Sequence, residues 1–178
     1  MNLQDIYQTT IQFAAQRHTD INQTIPGTNL PYVVHLSNVA MEILVASEQS
    51  ESFNTGVAVQ MALLHDVLED TDATFEELSE KFGKAVAEGV LALTKNAELP
   101  KDERMANSLE KIKQQPKEVW AVKLADRITN LQKPPHFWTP EKIEKYRQEA
   151  TMILNELCGG NTYLEHRLKR KIEEYNAD

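Results

Sequence analysis

One cysteine, Cys158, stands in 178 residues, so no internal disulfide closes and packing alone must hold the chain. That scarcity suits a reducing compartment. Cationic residues are in deficit: 19 Lys plus Arg face 27 Asp plus Glu, a formal net charge of -8. The deficit argues against nucleic-acid or anionic-membrane partners, whose non-specific affinity comes from cationic surface. A small phosphorylated ligand held by a local cationic pocket or by a metal stays compatible with it. No apolar run reaches the length of about 18 residues that crosses a bilayer. Met1-Asn2-Leu3-Gln4-Asp5 lacks the basic start and apolar core of a signal peptide. Sustained period-two alternation, internal repeats and low-complexity tracts are missing too. The expectation is a cytoplasmic chain with a single domain over residues 1–178.

What is present is helical periodicity. Leu3, Ile6, Tyr7, Thr10, Phe13 and Ala14 share one face, and Leu36, Val39, Ala40, Ile43 and Leu44 repeat the spacing. Residues 57–68 are apolar almost all round, which predicts a helix in the middle of the domain. Thr74 with Glu77 reads as a capping box for a short helix stopping near Gly83. Val86, Val90 and Leu93 mark another helix, and Met105, Leu109 and Ile112 one that ends before Pro116. Val119 through Leu131 forms a strongly apolar helix that stops at Pro134-Pro135. Thr139-Pro140 and Asn161 open the last two. The class is all-α, a compact bundle of about eight to ten helices. From about Arg17 to Val34 no helical stripe exists, and this long connection delivers the chain to His35.

His65-Asp66 closes the most apolar helix, and Glu69-Asp70 follows one turn on. Desolvating ions costs several kcal/mol, so an imidazole and three carboxylates ending an apolar helix need something to satisfy them. A divalent cation would do so. A second apolar helix runs into Asp126, with Asn130 one turn beyond; taken alone, Asp126 reads as a cap or a partner of Arg127. Taken together, His35, His65, Asp66 and Asp126 suit Mn, Fe or Zn. Such an ion lowers the pKa of a bound water enough to make it a nucleophile.

His35, His65-Asp66 and Asp126 within KLADRITN reproduce the H…HD…D pattern and resemble the HD-superfamily metal-dependent phosphohydrolases. ALLHDVLEDTDATFEEL, Phe82-Gly83, LTKN and VKLADRITNL resemble more closely the (p)ppGpp hydrolase domain of RelA/SpoT proteins, in its stand-alone small alarmone hydrolase form. The resemblance implies an HD-domain bundle that hydrolyses the 3′-pyrophosphate of the stringent-response alarmones ppGpp and pppGpp to GDP or GTP and pyrophosphate. It implies His35, His65, Asp66 and Asp126 as ligands of Mn2+ (Fe or Zn in its place), and Glu69 and Asp70 as the acids that orient or deprotonate water and handle the leaving group. It further implies Asn130 as a nucleotide contact and Lys95 and Arg104 as cations near the phosphates. The family commonly has a basic stretch before its PY…H segment, whereas residues 19–34 here contain no Lys or Arg. Thr24 lies near the expected Arg, and Arg17 is the nearest upstream cation to contact substrate. That departure keeps two alternatives open: another nucleotide, such as NADPH, as substrate of the same site, or a nucleotide-binding module without turnover. The oligomeric state is not legible.

The remaining histidines read as structural. His18 is expected to cap the first helix as a cation, and His166 to be solvated. His136, within PPHFWTP, is expected to belong to a hydrophobic plug over the core. Cys158 has no neighbouring His motif. Lys169–Lys171 and the group Glu76, Glu77 and Glu80 read as solvated faces.

Overall fold

The structure is a computed structural model that describes residues 2–175. Among these lie ten helical segments: α1 (Leu3–Asp20), α2 (Val33–Glu48), α3 (Thr55–Leu64), α4 (Val67–Asp70), α5 (Phe75–Phe82), α6 (Lys84–Leu93), α7 (Arg104–Lys113), α8 (Lys117–Asn130), α9 (Pro140–Glu156) and α10 (Thr162–Glu174). No strand forms among the described residues; the lone β-bridge joins Thr24 to Pro31.

α3 is the hub. It packs against α1, α2, α6 and α8 at once, and Ala58, Val59, Met61, Ala62, Leu63 and Leu64 are all buried. A helix that is apolar nearly all round has no face to give to water, so it must be surrounded. Gly89 on α6 lets this happen: a Cβ there would lie 2.2 Å from the Met61 sulfur and force that side chain to move, so glycine is what leaves room for Met61 between α6 and α3. α8 is nearly as deeply buried and lies against α2, α3 and α10. On α10, Arg167 grips Glu42 of α2 with two bonds of 2.5 and 2.6 Å.

Local signals set most boundaries. Asn54, Thr74, Thr139 and Asn161 each accept a bond from the backbone N–H three residues on. Gly83, at φ 88°, joins α5 to α6 in a conformation that L side chains rarely adopt.

Five expectations need correction. α1 continues to Asp20, so the irregular connection is shorter, residues 21–32. α8 ends at Asn130 rather than running on to the two prolines. His18 is no charged cap: it is 1% exposed, burial lowers its basicity, and its ring packs on Tyr32 at 4.8 Å between centroids. Glu77 does not face solvent with Glu76 and Glu80, because its carboxylate accepts from Arg17 at 2.5 Å. Of the aromatic rings in PPHFWTP only Trp138 packs inward, edge-on to Tyr146, while His136 and Phe137 are exposed.

Candidate active site and metal centre

The continuous helix expected over residues 57–68 is interrupted where the chemistry lies. α3 stops at Leu64 and α4 starts at Val67, leaving His65 and Asp66 between them. Both keep right-handed backbone angles, and both side chains meet partners from α2 and α8 or the loop before α2. His65 Nδ1 donates to the Ala62 carbonyl at 2.8 Å, which directs Nε2 at the cluster. His35 enters from the first turn of α2, with its Nδ1 3.4 Å from the Thr129 hydroxyl. Asp126 enters from α8.

Three donor atoms converge, from His35, His65 and Asp126, with Asp66 beside them. His35 Nε2 and His65 Nε2 are 3.3 Å apart, and Asp126 Oδ1 lies 3.5 and 3.6 Å from them. Asp66 Oδ2 lies 2.9 Å from His65 Nε2 and 3.9 Å from His35 Nε2. A metal with ligand bonds of about 2.1 Å spaces adjacent ligand atoms by roughly 3.0–3.4 Å, so the His35, His65 and Asp126 atoms fit a divalent ion to within a few tenths of an ångström. The electrostatics agree. Burial alone would push the His65 imidazole down, yet Asp66 and Asp126 override it and carry it up to about 10. Against the same burial, His65 holds Asp66 below the usual carboxylate range, and Lys123 with the imidazoles does so for Asp126. The acidic pair draws positive charge onto the His65 ring that both approach.

Further groups fix those side chains. The Tyr32 hydroxyl donates to Asp66 Oδ2 in a short bond. Lys123 Nζ donates to Asp126 Oδ2 at 3.1 Å, and Asn130 Nδ2 to Asp126 Oδ1 at 2.5 Å. Asp126 therefore pairs with Lys123, not with Arg127. Arg127 instead lies over the Tyr146 ring at 4.2 Å and 3.6 Å from Glu149.

A cleft of about 340 Å³ opens over the cluster, lined by Asp66, Glu69, Asp70, Lys95, Asp126, Asn130 and Tyr146, among others. Glu69 accepts from Lys95 twice, from Nζ at 2.9 Å and from its backbone N–H at 3.0 Å. Asp70 accepts from Gln23. A second cleft of about 370 Å³ shares Asn130 and Tyr146 with the first and reaches His35. Its walls are mostly apolar and aromatic, including Pro26, Leu30, Trp138 and Tyr175, and Lys133 is the cation among them.

Two expected substrate residues lie elsewhere. Arg17 is bonded to Asp72 at 2.9 Å and to Glu77. Arg104 donates to the carbonyls of Leu99 at 2.9 Å and Ala97 at 2.7 Å, closing the loop before α7. Neither lines either cleft. Conversely, Tyr32, Gln23, Lys123, Tyr146 and Glu149 escaped the sequence reading. Lys123 was findable, one turn before Asp126 on an otherwise apolar face, and so was Tyr32, one turn before His35. Tyr146 and Glu149 sit on a helix with no local mark of chemistry.

The metal-fitting cluster at a split helix end is the arrangement of an HD domain. Residues 10–161 match the family model described as HD domain, and the chain belongs to that family. It is 36% identical over 166 residues to the zebrafish (Danio rerio) guanosine-3′,5′-bis(diphosphate) 3′-pyrophosphohydrolase MESH1, covering 90% of this chain and 89% of that one. The human protein of the same name is 34% identical over 91% of this chain and 90% of its own length. Among solved structures, a metazoan ortholog of SpoT described as hydrolysing ppGpp superposes with a TM-score of 0.81 at 30% identity, with 97% of both chains covered.

Proposed function

We propose that this chain is a metal-dependent phosphohydrolase that removes the 3′-pyrophosphate of ppGpp and pppGpp, giving GDP or GTP and pyrophosphate, with Mn2+ as the working ion in the cytoplasm. The reading is carried by one observation. The His35 and His65 Nε2 atoms lie within 4 Å of each other and of carboxylate oxygens from both Asp66 and Asp126, at the floor of a cleft edged by Glu69, Asp70 and Lys95. Its relatives carry the same named activity.

A divalent ion held there supplies Lewis acidity and a water of lowered pKa. The chain's own groups do the rest. Glu69 and Asp70, at the cleft mouth, orient the attacking water, accept its proton and return one to the 3′-oxygen as the phosphorus–oxygen bond breaks. Lys95 meets the negative charge of the transferring phosphates, exchanging its Glu69 partner for them. Asn130 and Tyr146, common to both clefts, face the sugar, and the base lies in the apolar cleft beside Trp138. Lys133 supplies there the cation that residues 19–34 lack.

The test is metal-loaded protein with ppGpp, pppGpp and NADPH, followed by product analysis. Pyrophosphate and GDP from ppGpp, lost together with bound metal in Asp66→Ala, are expected. Phosphate release from NADPH alone, or full turnover by Asp66→Ala, contradicts the proposal.

A further inference from the structure

Gln23 and His18 have no part in the ligand set, yet they lead to it. Asn22 turns the chain with φ 54°, and Gln23 N then donates to the His18 carbonyl at 3.0 Å while Gln23 O accepts from Tyr32 N at 3.2 Å. This pins the Gln23 backbone at both ends of the 21–32 loop and faces its side chain toward α4. Gln23 Nε2 donates to Asp70 Oδ2 at 2.7 Å. An ionised carboxylate only accepts, so the amide must present its nitrogen to Asp70 and its oxygen to the other side. That oxygen meets His18 Nδ1 at 2.5 Å, so His18 carries its proton on Nδ1. His18 is 1% exposed on α1, and its Nε2 is buried with no partner among the described residues. The bond to Gln23 is thus the one directional bond the ring makes among the described residues. Tyr32, whose ring packs on it, donates from its hydroxyl to Asp66.

Asp70 needs such a restraint. It ends a helix of four residues, its side chain is exposed, and Glu69 and Asp66 repel its charge. Left alone, the carboxylate would sample several rotamers, and a misplacement of about 1 Å costs roughly 100-fold in rate. We infer that Gln23 is a positioning residue for the hydrolysis, holding the Asp70 carboxylate in one orientation over the cleft while the buried His18 fixes which way the Gln23 amide points. The inference rests on the role given to Asp70 above. A competing role, merely pinning the loop, makes a different prediction, because loop disorder acts on substrate binding rather than on Asp70.

The experiment is a double-mutant cycle on the full, metal-loaded chain with ppGpp: Gln23→Ala, Asp70→Asn and the pair. Gln23→Ala is expected to lower kcat roughly 10- to 50-fold with KM within about twofold, and to add no further loss in the Asp70→Asn background. Gln23→Glu, which keeps size and an acceptor for His18 but loses the donor to Asp70, is expected to lower kcat as well, with metal content and Tm near wild type. It reports even where Gln23→Ala folds poorly. In the wild type, 15N resonances of the His18 ring are expected to show a neutral imidazole protonated at Nδ1. Wild-type kcat in Gln23→Glu, a change in KM alone, an undiminished Gln23→Ala loss on top of Asp70→Asn, or a ring protonated at Nε2 overturns the inference. Wild-type kcat in Asp70→Asn is a separate result: it removes the role of Asp70 and the inference with it.

Discussion

Lys123 and Asp126, one turn apart on α8, form an ion pair at 3.1 Å with side chains only 7% and 11% exposed. Removing one member of a buried pair leaves the other uncompensated, at a cost of about 3–5 kcal/mol. Asn130 donates to the other oxygen of Asp126 and softens that cost. Lys123→Met, which keeps the apolar stem, is expected to destabilise the metal-free protein by about 3 kcal/mol, or roughly 6–12 °C in Tm for a chain of this size. With Lys123 gone, a doubly charged ion compensates Asp126 better than the single imidazolium of His65 does, so added Mn2+ is expected to raise Tm more in the variant than in wild type. Equal increments in a thermal melt would show that Lys123 does not balance the Asp126 charge.

The metal-free site has its own pH signature. His65 is raised to about 10 in the fold, above its unfolded value of about 6.5. Its protonation therefore stabilises the metal-free fold fully below about pH 6.5, and that contribution is lost as pH climbs toward 10. Asp66 and Asp126 are shifted down. Their contribution is present above about pH 3.9 and lost as pH falls through the lowered values. Metal-free protein should be most stable between about pH 4 and 6.5 and decline toward pH 9. An ion competes with the His65 proton, so metal affinity should rise across the same interval. Thermal melts with and without chelator from about pH 5 to 9 check this: the gap between the two Tm values is expected to widen with pH. A constant gap would show that the ion and the proton do not compete.

Where the sequence could be read, the reason was local. Capping by Thr74, Thr139 and Asn161 involves residues three apart, and α3, apolar nearly all round, announces its own burial. The candidate ligands were legible because an imidazole and acids on apolar helices are too costly to bury for packing alone. What escaped depends on neighbours far along the chain. His18 looked like a helix-end cation, but the 21–32 loop folds over it and burial outweighs the helix dipole. Arg17 and Arg104 looked like free cations near phosphates, but Asp72 and Glu77 take one and two loop carbonyls take the other. The break at His65-Asp66 is invisible to periodicity because its residues keep helical angles.

Tyr32 closes the cluster from the loop side. Burial and Asp66 both push its phenol up, so the hydroxyl stays protonated and donates to Asp66 at any working pH. A hydrogen bond to a charged group contributes about 1.5–3 kcal/mol, and partners of ligating groups typically change metal affinity or activity 10- to 100-fold when removed. Tyr32→Phe keeps the ring that packs on His18 and His35, so the fold and the His18–Gln23 contact should persist. It frees Asp66 Oδ2 from its donor and lets that carboxylate rotate. The expected outcome is a roughly 10- to 100-fold higher Mn2+ concentration for half-maximal rate, with kcat at saturating Mn2+ within about threefold of wild type. A metal titration of the rate measures both, and unchanged metal dependence would show that Asp66 is held by its neighbours without the phenol.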